Sequence, residues 1–351
     1  MPESGYLPPQ SNQEVRSSTS RGLESFLETN RLSFGFTSYR TGFLYLVGLV
    51  PDGRISLHQR AFERAMGVHA DEQGLTIATA WQIWTLVNQL GQGEHLSDGT
   101  DAFYVPRSSH VTGDLDAHDV ARDEEGRLLF VNTKYSCVAR VSETASFSPV
   151  WTPPFISRLA PEDRCHLNGF CLEQGVPKYA TAVSTTDSVS GWREKRAEGG
   201  CLIDIQTDTI LSMDLSMPHS PRLADERLYV LNSGHGSLCE VDRVDGHLRT
   251  IANLPGFLRG LSIHGNYAFV GLSLPRDGNF AGLPLSDRLS VQDVSPWCGL
   301  QIVDLQSGDV VHWLRFDQGV EELFDVFVLP GVRRPMALGI SNDEVKQHIT
   351  Y

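Results

Sequence analysis

Three histidines stand in related contexts along the chain and are the residues best suited to chemistry. They are His118 in AHDV, His166 in HLNGF and His219 in PHSPR. Neutral imidazoles that converge on one point form a divalent-metal site, and an open coordination position makes such a site catalytic. The sequence therefore predicts a cation held by three histidines, without distinguishing iron, manganese, zinc and copper.

Three charged residues are further candidates: Arg259 and Glu322 stand at the matching positions of two later units, and Arg222 lies near His219. Glu322 is predicted to act as a fourth ligand or as a general base. Arg222 and Arg259 are predicted to bind a carboxylate of the substrate, because a planar guanidinium matches that group.

Two further polar residues lie beside the histidines. Residues two apart on a strand share a face, so Asn168 is predicted to lie beside His166 on one wall. Asp119 is predicted to orient His118 by a hydrogen bond. Two other interpretations stay open: a polar channel with buried water, and a metal-free acid–base site.

A repeated pattern supplies the elements that position these residues. In each unit, a turn with glycine or acidic residues leads into an apolar run that ends in small polar residues. Clear examples are residues 71–79, 123–133, 173–184, 225–232 and 264–271. Such runs with glycine-bearing turns indicate β-hairpins, and their spacing of roughly 40 to 53 residues is that of one propeller blade.

The repeat predicts an all-β fold with a single β-propeller. Five full units begin near Met66, His118, His166, His219 and Arg259. A partial unit flanks them on each side, so the strand at 323–329 is predicted to complete the first blade and close the ring. Six blades are favoured, and seven are possible if the segment after Pro330 or residues 275–297 form a sheet. Helical periodicity occurs only near Leu23–Thr29.

The chain divides into one main unit and two unusual segments. Residues 1–22 are rich in Ser, Pro and Gln and are predicted to be a flexible arm, followed by the propeller over residues 23–345. Residues 274–297 form a long insertion between strands and are predicted to cover the channel mouth as a lid. Residues 185–200, around Trp192, are a second candidate cover.

Composition argues against several classes of function. The net charge of −14 and the lack of a basic run argue against nucleic-acid binding. No apolar run reaches the roughly 18–20 residues of a membrane helix. Without an export signal or a C-x-x-C pair, the six cysteines are predicted to be reduced thiols in a cytoplasmic protein. The oligomeric state is not predicted, and nucleotide-binding and serine-hydrolase motifs are missing.

The motifs AHDV, HLNGF, PHSPR and the LRGL at 258–261 resemble signatures of a bacterial family of propellers. That family is catalogued as a domain of unknown function and is often described beside TPR proteins. The resemblance, over about residues 30–340, implies the fold and no activity. The layout is also distantly similar to gluconolactonase-like propellers, which hold one cation on the axis mainly with Glu, Asn and Asp. A histidine-rich axis is more similar to propeller lyases that use manganese or magnesium, or to oxygenases that bind iron.

The leading hypothesis is a metal-dependent enzyme that acts on a small polar or carboxylate-bearing metabolite or peptide. Its chemistry would be that of a lyase or isomerase, or of an oxygenase. The alternative is a non-enzymatic scaffold that binds a protein partner. The two differ in one respect: replacing the three histidines together abolishes the function of the enzyme and leaves that of the scaffold intact.

Overall fold

A computed structural model describes residues 14–275, 280–340 and 343–350. In chain order the strands are β1 (Arg16–Thr19), β2 (Leu32–Ser38), β3 (Phe43–Leu49), β4 (Ile55–Ala61), β5 (Val68–Asp71), β6 (Gly74–Ala78), β7 (Gln82–Asn88), β8 (Ala102–Val111), β9 (Ala117–Arg122), β10 (Leu128–Asn132), β11 (Cys137–Arg140), β12 (Ser148–Trp151), β13 (Leu167–Glu173), β14 (Val176–Ala182), β15 (Gly200–Asp204), β16 (Thr209–Leu215), β17 (Pro218–Ala224), β18 (Arg227–Asn232), β19 (Ser237–Val241), β20 (Leu248–Asn253), β21 (Phe257–His264), β22 (Tyr267–Ser273), β23 (Cys298–Asp304), β24 (Val310–Gln318), β25 (Val326–Pro330) and β26 (Pro335–Ala337). The helices are α1 (Leu23–Asn30), the 3-10 helix Gly191–Lys195, α2 (Pro284–Gln292) and α3 (Glu344–Gln347).

The strands form six sheets, each built on four antiparallel strands. From the inside outward the blades are β25-β2-β3-β4, β5-β6-β7-β8, β9-β10-β11-β12, β13-β14-β15-β16, β17-β18-β19-β20 and β21-β22-β23-β24. Each inner strand packs against the next around the channel, and β25 meets β5 to complete the circle. The protein is therefore a six-bladed β-propeller, as the repeat predicts.

The ring closes between distant parts of the chain. β25 supplies the inner strand of the first blade and pairs with β2 from Leu32↔Pro330 to Phe36↔Val326. This pairing confirms the predicted closure. The alternative of a seventh blade is wrong for the described residues, because β26 adds to the edge of β8 and the insertion contains α2.

The start of the described chain differs from the prediction in part. β1 extends the last blade by pairing with β24, with Thr19 opposite Leu314. The predicted arm therefore does not reach residue 22, and its first thirteen residues lie outside the described part. The helix expected near Leu23 is present, and Leu23 and Leu27 are buried against the core.

The apolar core lies between neighbouring blades rather than at one centre. On β10, Leu129 and Val131 pack toward the following blade, whereas Leu128 and Phe130 pack toward the preceding one. Since successive side chains of a strand point to opposite faces, a blade covered on both faces needs a continuous apolar run. This explains the run LLFVN. All six cysteines are buried and free of disulfides. Among the described helices, none is long and apolar enough to cross a membrane.

Candidate functional site

The three predicted histidines meet at one end of the channel. His118 and His219 are the second residues of β9 and β17, and His166 immediately precedes β13. All three are buried and line one cavity of about 310 Å³. We call them the histidine layer. Their common position in the repeat therefore brings them together in space.

The proton of His118 is fixed by its neighbours. Its Nδ1 lies 3.0 Å from the carbonyl oxygen of Asp116 and 2.9 Å from Oγ1 of Thr133. The Thr133 hydroxyl donates its hydrogen to the carbonyl of Leu167 at 2.6 Å, so toward the imidazole it can only accept. Nδ1 therefore carries the hydrogen, and Nε2 keeps its lone pair.

The other two rings are held in the same way. Nδ1 of His219 donates to the carbonyl oxygen of Met217 at 2.9 Å. Nδ1 of His166 lies 3.1 Å from both carboxylate oxygens of Asp163. For none of the three rings does the described structure contain a hydrogen-bond partner of Nε2. The histidine layer thus presents three ring nitrogens of one kind.

The backbone around these rings adopts conformations that are uncommon without glycine. The residues two before His118 and His219, Asp116 and Met217, have φ of 54° and 45°. His166 itself has φ of 52°. Non-glycine residues with positive φ are rare and cluster at functional sites. Here the turn directs a carbonyl oxygen at Nδ1 of the strand histidines.

Each histidine also has an aromatic ring against it. The pairs, with centroid separations, are His166–Trp192 at 4.2 Å, His118–Phe324 at 5.2 Å and His219–Phe257 at 5.6 Å. Trp192 is nearly parallel to its imidazole, at 28°, and donates Nε1–H to Asp163 at 2.7 Å. The Nδ1 hydrogen bonds determine which nitrogen of each ring is engaged, and the aromatic contacts pack against the same imidazoles.

Burial keeps two of the rings neutral. Desolvation lowers the pKa of His118 to about 4; nearby His166 and Arg259 add to this effect, and Asp116 opposes it. Desolvation, with Arg259 as the next cause, lowers the pKa of His219 well below its ordinary value. Both imidazoles are therefore unprotonated at neutral pH.

The three rings do not yet surround one point tightly. The centroids of His118 and His166 are 4.9 Å apart, and the two rings are edge to face. In the described part of the chain, no three His, Cys, Asp or Glu side chains are close enough to hold a metal ion as placed. A cation shared by all three Nε2 atoms requires the rings to turn toward one another.

Arg259 and Glu322 form a buried ion pair on the cavity wall. Nη1 of Arg259 donates to Oε1 of Glu322 at 3.2 Å, and the guanidinium lies 4.0 Å over the ring of Phe324. Both predicted residues therefore reach the cavity. The guanidinium is bound to the protein's own carboxylate.

Arg222 lies farther into the channel and does not line this cavity. Its Nη1 donates to Asp119 at 3.0 Å, its Nη2 is 3.6 Å from Asp325, and its Nε donates to the carbonyl of Leu261 at 3.0 Å. We call Arg222, Asp119 and Asp325 the arginine node. The structure therefore does not bring Arg222 to the other predicted site residues.

The prediction that Asp119 orients His118 is wrong. Asp119 accepts hydrogen bonds from Arg222 and from the backbone N–H of Phe170. The physical reason is strand alternation, since consecutive side chains point in opposite directions. The groups that orient His118 are the Asp116 carbonyl and Thr133.

Asn168 lies between the histidine layer and the arginine node. It lines a second cavity of about 10 Å³, which His118 and Arg259 also line. Its Oδ1 accepts a hydrogen bond from Thr181 at 2.8 Å, and its buried Nδ2 has no partner in the described structure. A cavity of this size holds about one water molecule.

The two segments predicted to cover the mouth both line the larger cavity. Trp192, Arg193 and Arg196 come from the segment 185–200, and Phe280 comes from the insertion. Residues 276–279 of that insertion lie outside the described part. After it, α2 is fastened to the neighbouring blade by Arg288, which donates to the carbonyls of residues 235 and 254.

The sequence reasoning missed Asp116, Asp163 and Thr133. One signal for the two acids was present, because an acidic residue stands two or three positions before His118 and His166. Thr133 had no such signal, since it follows the neighbouring strand β10 and reaches His118 only in the folded blade.

The fold and the site define a six-bladed propeller with a histidine-lined cavity at its channel mouth. The family described as Domain of unknown function (DUF4915) matches residues 21–338, and the chain belongs to that family. No curated protein matches the chain.

Solved structures with a similar course of the chain share little sequence with it. A nidogen/laminin complex is 8% identical with a TM-score of 0.49, covering 86% of this chain and 99% of the other. Virginiamycin B lyase from Staphylococcus aureus is 8% identical with a TM-score of 0.39, covering 86% and 99%. A putative 6-phosphogluconolactonase from Bacteroides uniformis is 14% identical with a TM-score of 0.41, covering 80% and 81%.

Proposed function

We propose that the protein is a metal-dependent enzyme in which Nε2 of His118, His166 and His219 bind one divalent cation. The observation that carries the proposal is that the three imidazole rings share one hydrogen-bonding pattern. In each of them Nδ1 is bound to an oxygen, and Nε2 is left without a partner in the described structure. Histidines that bind metals are oriented in this manner by a carbonyl or a carboxylate on the other nitrogen.

The protonation state supports the same proposal. A histidine must be neutral to bind a cation, so metal binding competes with protons. Burial lowers the pKa of His118 to about 4. It also lowers the pKa of His219 well below its ordinary value, so both rings are neutral at pH 7. These two rings therefore offer lone pairs without first releasing a proton.

The cavity sets the size of the substrate. Its volume of about 310 Å³ lies at the lower end of the range for small-molecule pockets, so we propose a small carboxylate-bearing molecule rather than a long peptide. Arg222 takes no part in binding it, because its donors are used within the arginine node.

The reaction that we propose is that of a lyase or an isomerase. A divalent cation, when bound, supplies Lewis-acid polarisation of a substrate carbonyl oxygen. Glu322 is the chain's own carboxylate on the cavity wall, and Arg259 holds its Oε1 at 3.2 Å. In this proposal Glu322 accepts a proton from the substrate, and Asp163 keeps the proton of His166 on Nδ1.

Metal titration tests the proposal. Protein without an affinity tag is stripped with a chelator and titrated with Mn²⁺, Fe²⁺, Co²⁺ and Zn²⁺ by calorimetry, and the Co²⁺ spectrum reports nitrogen ligation. We expect one equivalent of at least one cation. His166→Gln lowers its affinity by about 100-fold or more, because a direct ligand is lost.

The matched control is His264→Gln, which changes a histidine at the far end of β21 that does not line the cavity. It should bind the cation like the wild type. Substoichiometric binding of every cation by the wild type, or equal losses in both variants, would contradict the proposal.

A further inference from the structure

The lining of the larger cavity is unusually aromatic. Of its nineteen described lining residues, five are Phe, Tyr or Trp, whereas these types make up 9% of the chain. The five are Tyr39, Trp192, Phe257, Phe280 and Phe324. Aromatic walls favour a flat apolar group, which stacks against ring faces or edges. An open-chain polyhydroxy acid such as gluconate has no flat apolar face to pack against these walls.

The acidic groups of the cavity are already matched by cations. Nη2 of Arg64 lies 3.7 Å from the carboxylate of Asp116, and Arg259 binds Glu322 at 3.2 Å. The two carboxylates therefore neither repel an anionic ligand strongly nor attract a cationic one.

Arg196 differs from these arginines. It lines the cavity, is exposed, and its side chain has no hydrogen bond or ion pair with any residue that the structure describes. The chain has a net charge of −14, so most of its surface repels anions. The guanidinium of Arg196 at the edge of the cavity attracts an anion locally. A guanidinium binds a carboxylate through two parallel hydrogen bonds.

From these observations we infer the substrate class: a small carboxylate with an aromatic body. Its carboxylate binds Arg196 at the rim, and its ring packs against the apolar wall that includes Met217, Phe257 and Phe280. Its other end reaches the histidine layer. The inference deepens the proposed function and rests on the same cavity being the catalytic site.

Three probes separate charge from shape. They are 3-phenylpropanoate, its neutral amide, and gluconate, which keeps the carboxylate but lacks an apolar body. Binding is measured by calorimetry and by the change in tryptophan fluorescence, to which Trp192 in the cavity wall contributes. We expect 3-phenylpropanoate to bind, the amide to bind about fivefold more weakly through loss of a charged hydrogen bond, and gluconate to show no saturable binding.

Two variants on one short segment provide the mutational test. Arg196→Gln should raise the dissociation constant of 3-phenylpropanoate about fivefold. Lys195→Gln removes the same charge from an exposed neighbour that does not line the cavity, and should leave the constant unchanged. Equal effects of the two variants, or equal binding of all three probes, would overturn the inference.

Metal binding, measured on the same preparations, separates this inference from the proposed function. Selective binding of 3-phenylpropanoate without any bound cation would support the substrate class and reject the metal-dependent enzyme. Stoichiometric metal binding with no preference among the probes would reject only the substrate class.

Discussion

The channel has two adjacent layers that use the same strands for opposite purposes. In the histidine layer, each ring has one committed nitrogen and one nitrogen without a partner in the described structure. In the arginine node, Arg222 shares its donors among Asp119, Asp325 and backbone carbonyls. The histidine layer retains ring nitrogens that can bind a ligand. The arginine node forms its hydrogen bonds and ion pairs with other groups of the protein.

The arginine node connects all six blades. Asp119 on β9 accepts from Phe170 on β13, Arg222 on β17 donates to Leu261 on β21, and Asp325, immediately before β25, accepts from Val68 on β5. A buried charge is tolerated only when it is paired and hydrogen-bonded. The node meets this condition, whereas His118 and His219 avoid the cost by remaining neutral.

Replacement of Arg222 gives the largest expected effect and tests the structural role of the node. Arg222→Met leaves two buried carboxylates without their shared cation and should lower the free energy of unfolding by about 3–5 kcal/mol. Denaturant unfolding measures this loss. If the variant does not fold, Arg222→Lys provides the measurement, with an intermediate loss.

The control is Arg249→Met in the same blade. Arg249 pairs with Glu240 at the surface, where an ion pair contributes about 0–1 kcal/mol. A loss in Arg222→Met no greater than that in the control would mean that the two layers do not differ as described.

A change of pH gives the next largest effect and concerns the neutral histidines. The pKa of His118 is about 4 in the folded protein and about 6.5 in the unfolded chain. Unfolding therefore takes up a proton between these values, so this contribution to stability is complete above pH 6.5 and is lost as the pH falls toward 4. At pH 5 the loss is about 2 kcal/mol relative to pH 7.

The measurement compares metal-free wild type with His118→Gln by denaturant unfolding at pH 7 and pH 5. The variant lacks the group, so its stability should decline by about 2 kcal/mol less than that of the wild type. Burial also raises the pKa of Asp325 to about 7, which acts in the opposite direction, but this contribution is common to both proteins and cancels. Parallel declines would show that His118 titrates normally.

The smallest effect comes from the carboxylate behind His166. Asp163→Asn retains one oxygen for two donors, His166 Nδ1–H and Trp192 Nε1–H, and should lower metal affinity about tenfold. The control is Asp208→Asn, which alters a similar bond from the indole of Trp151 at 2.7 Å, away from the cavity. Unchanged affinity in Asp163→Asn would show that the orientation of His166 does not matter.

The sequence predicts most of the fold and only part of the site. Hairpin turns and apolar runs repeat at blade spacing, so the six blades and their closure follow from local patterns. The position of His118, His166 and His219 in the repeat predicts their meeting. The repeat carries no information about partners across blades. The sequence therefore predicts a contact between Asp119 and its neighbour His118, whereas Asp119 pairs with Arg222, about one hundred residues away.

The backbone conformation around the histidines is the other feature of the site that the sequence does not predict. A positive φ is usually found at glycine. Asp116, Met217 and His166 are not glycines and nevertheless have a positive φ. Their conformations depend on tertiary contacts, so no local pattern predicts that the carbonyls turn toward the imidazoles.

The closing segment has a consequence for the order in which the protein is made. Glu322, Phe324 and Asp325 lie immediately before β25, which joins the first blade. Translation proceeds from the N-terminus, and domains fold as their residues emerge. A nascent chain that ends before residue 322 already contains all three histidines of the layer but lacks Glu322 and Phe324 of the cavity wall and Asp325 of the node. The ring, the node and the cavity are therefore completed together by one short stretch of newly made chain.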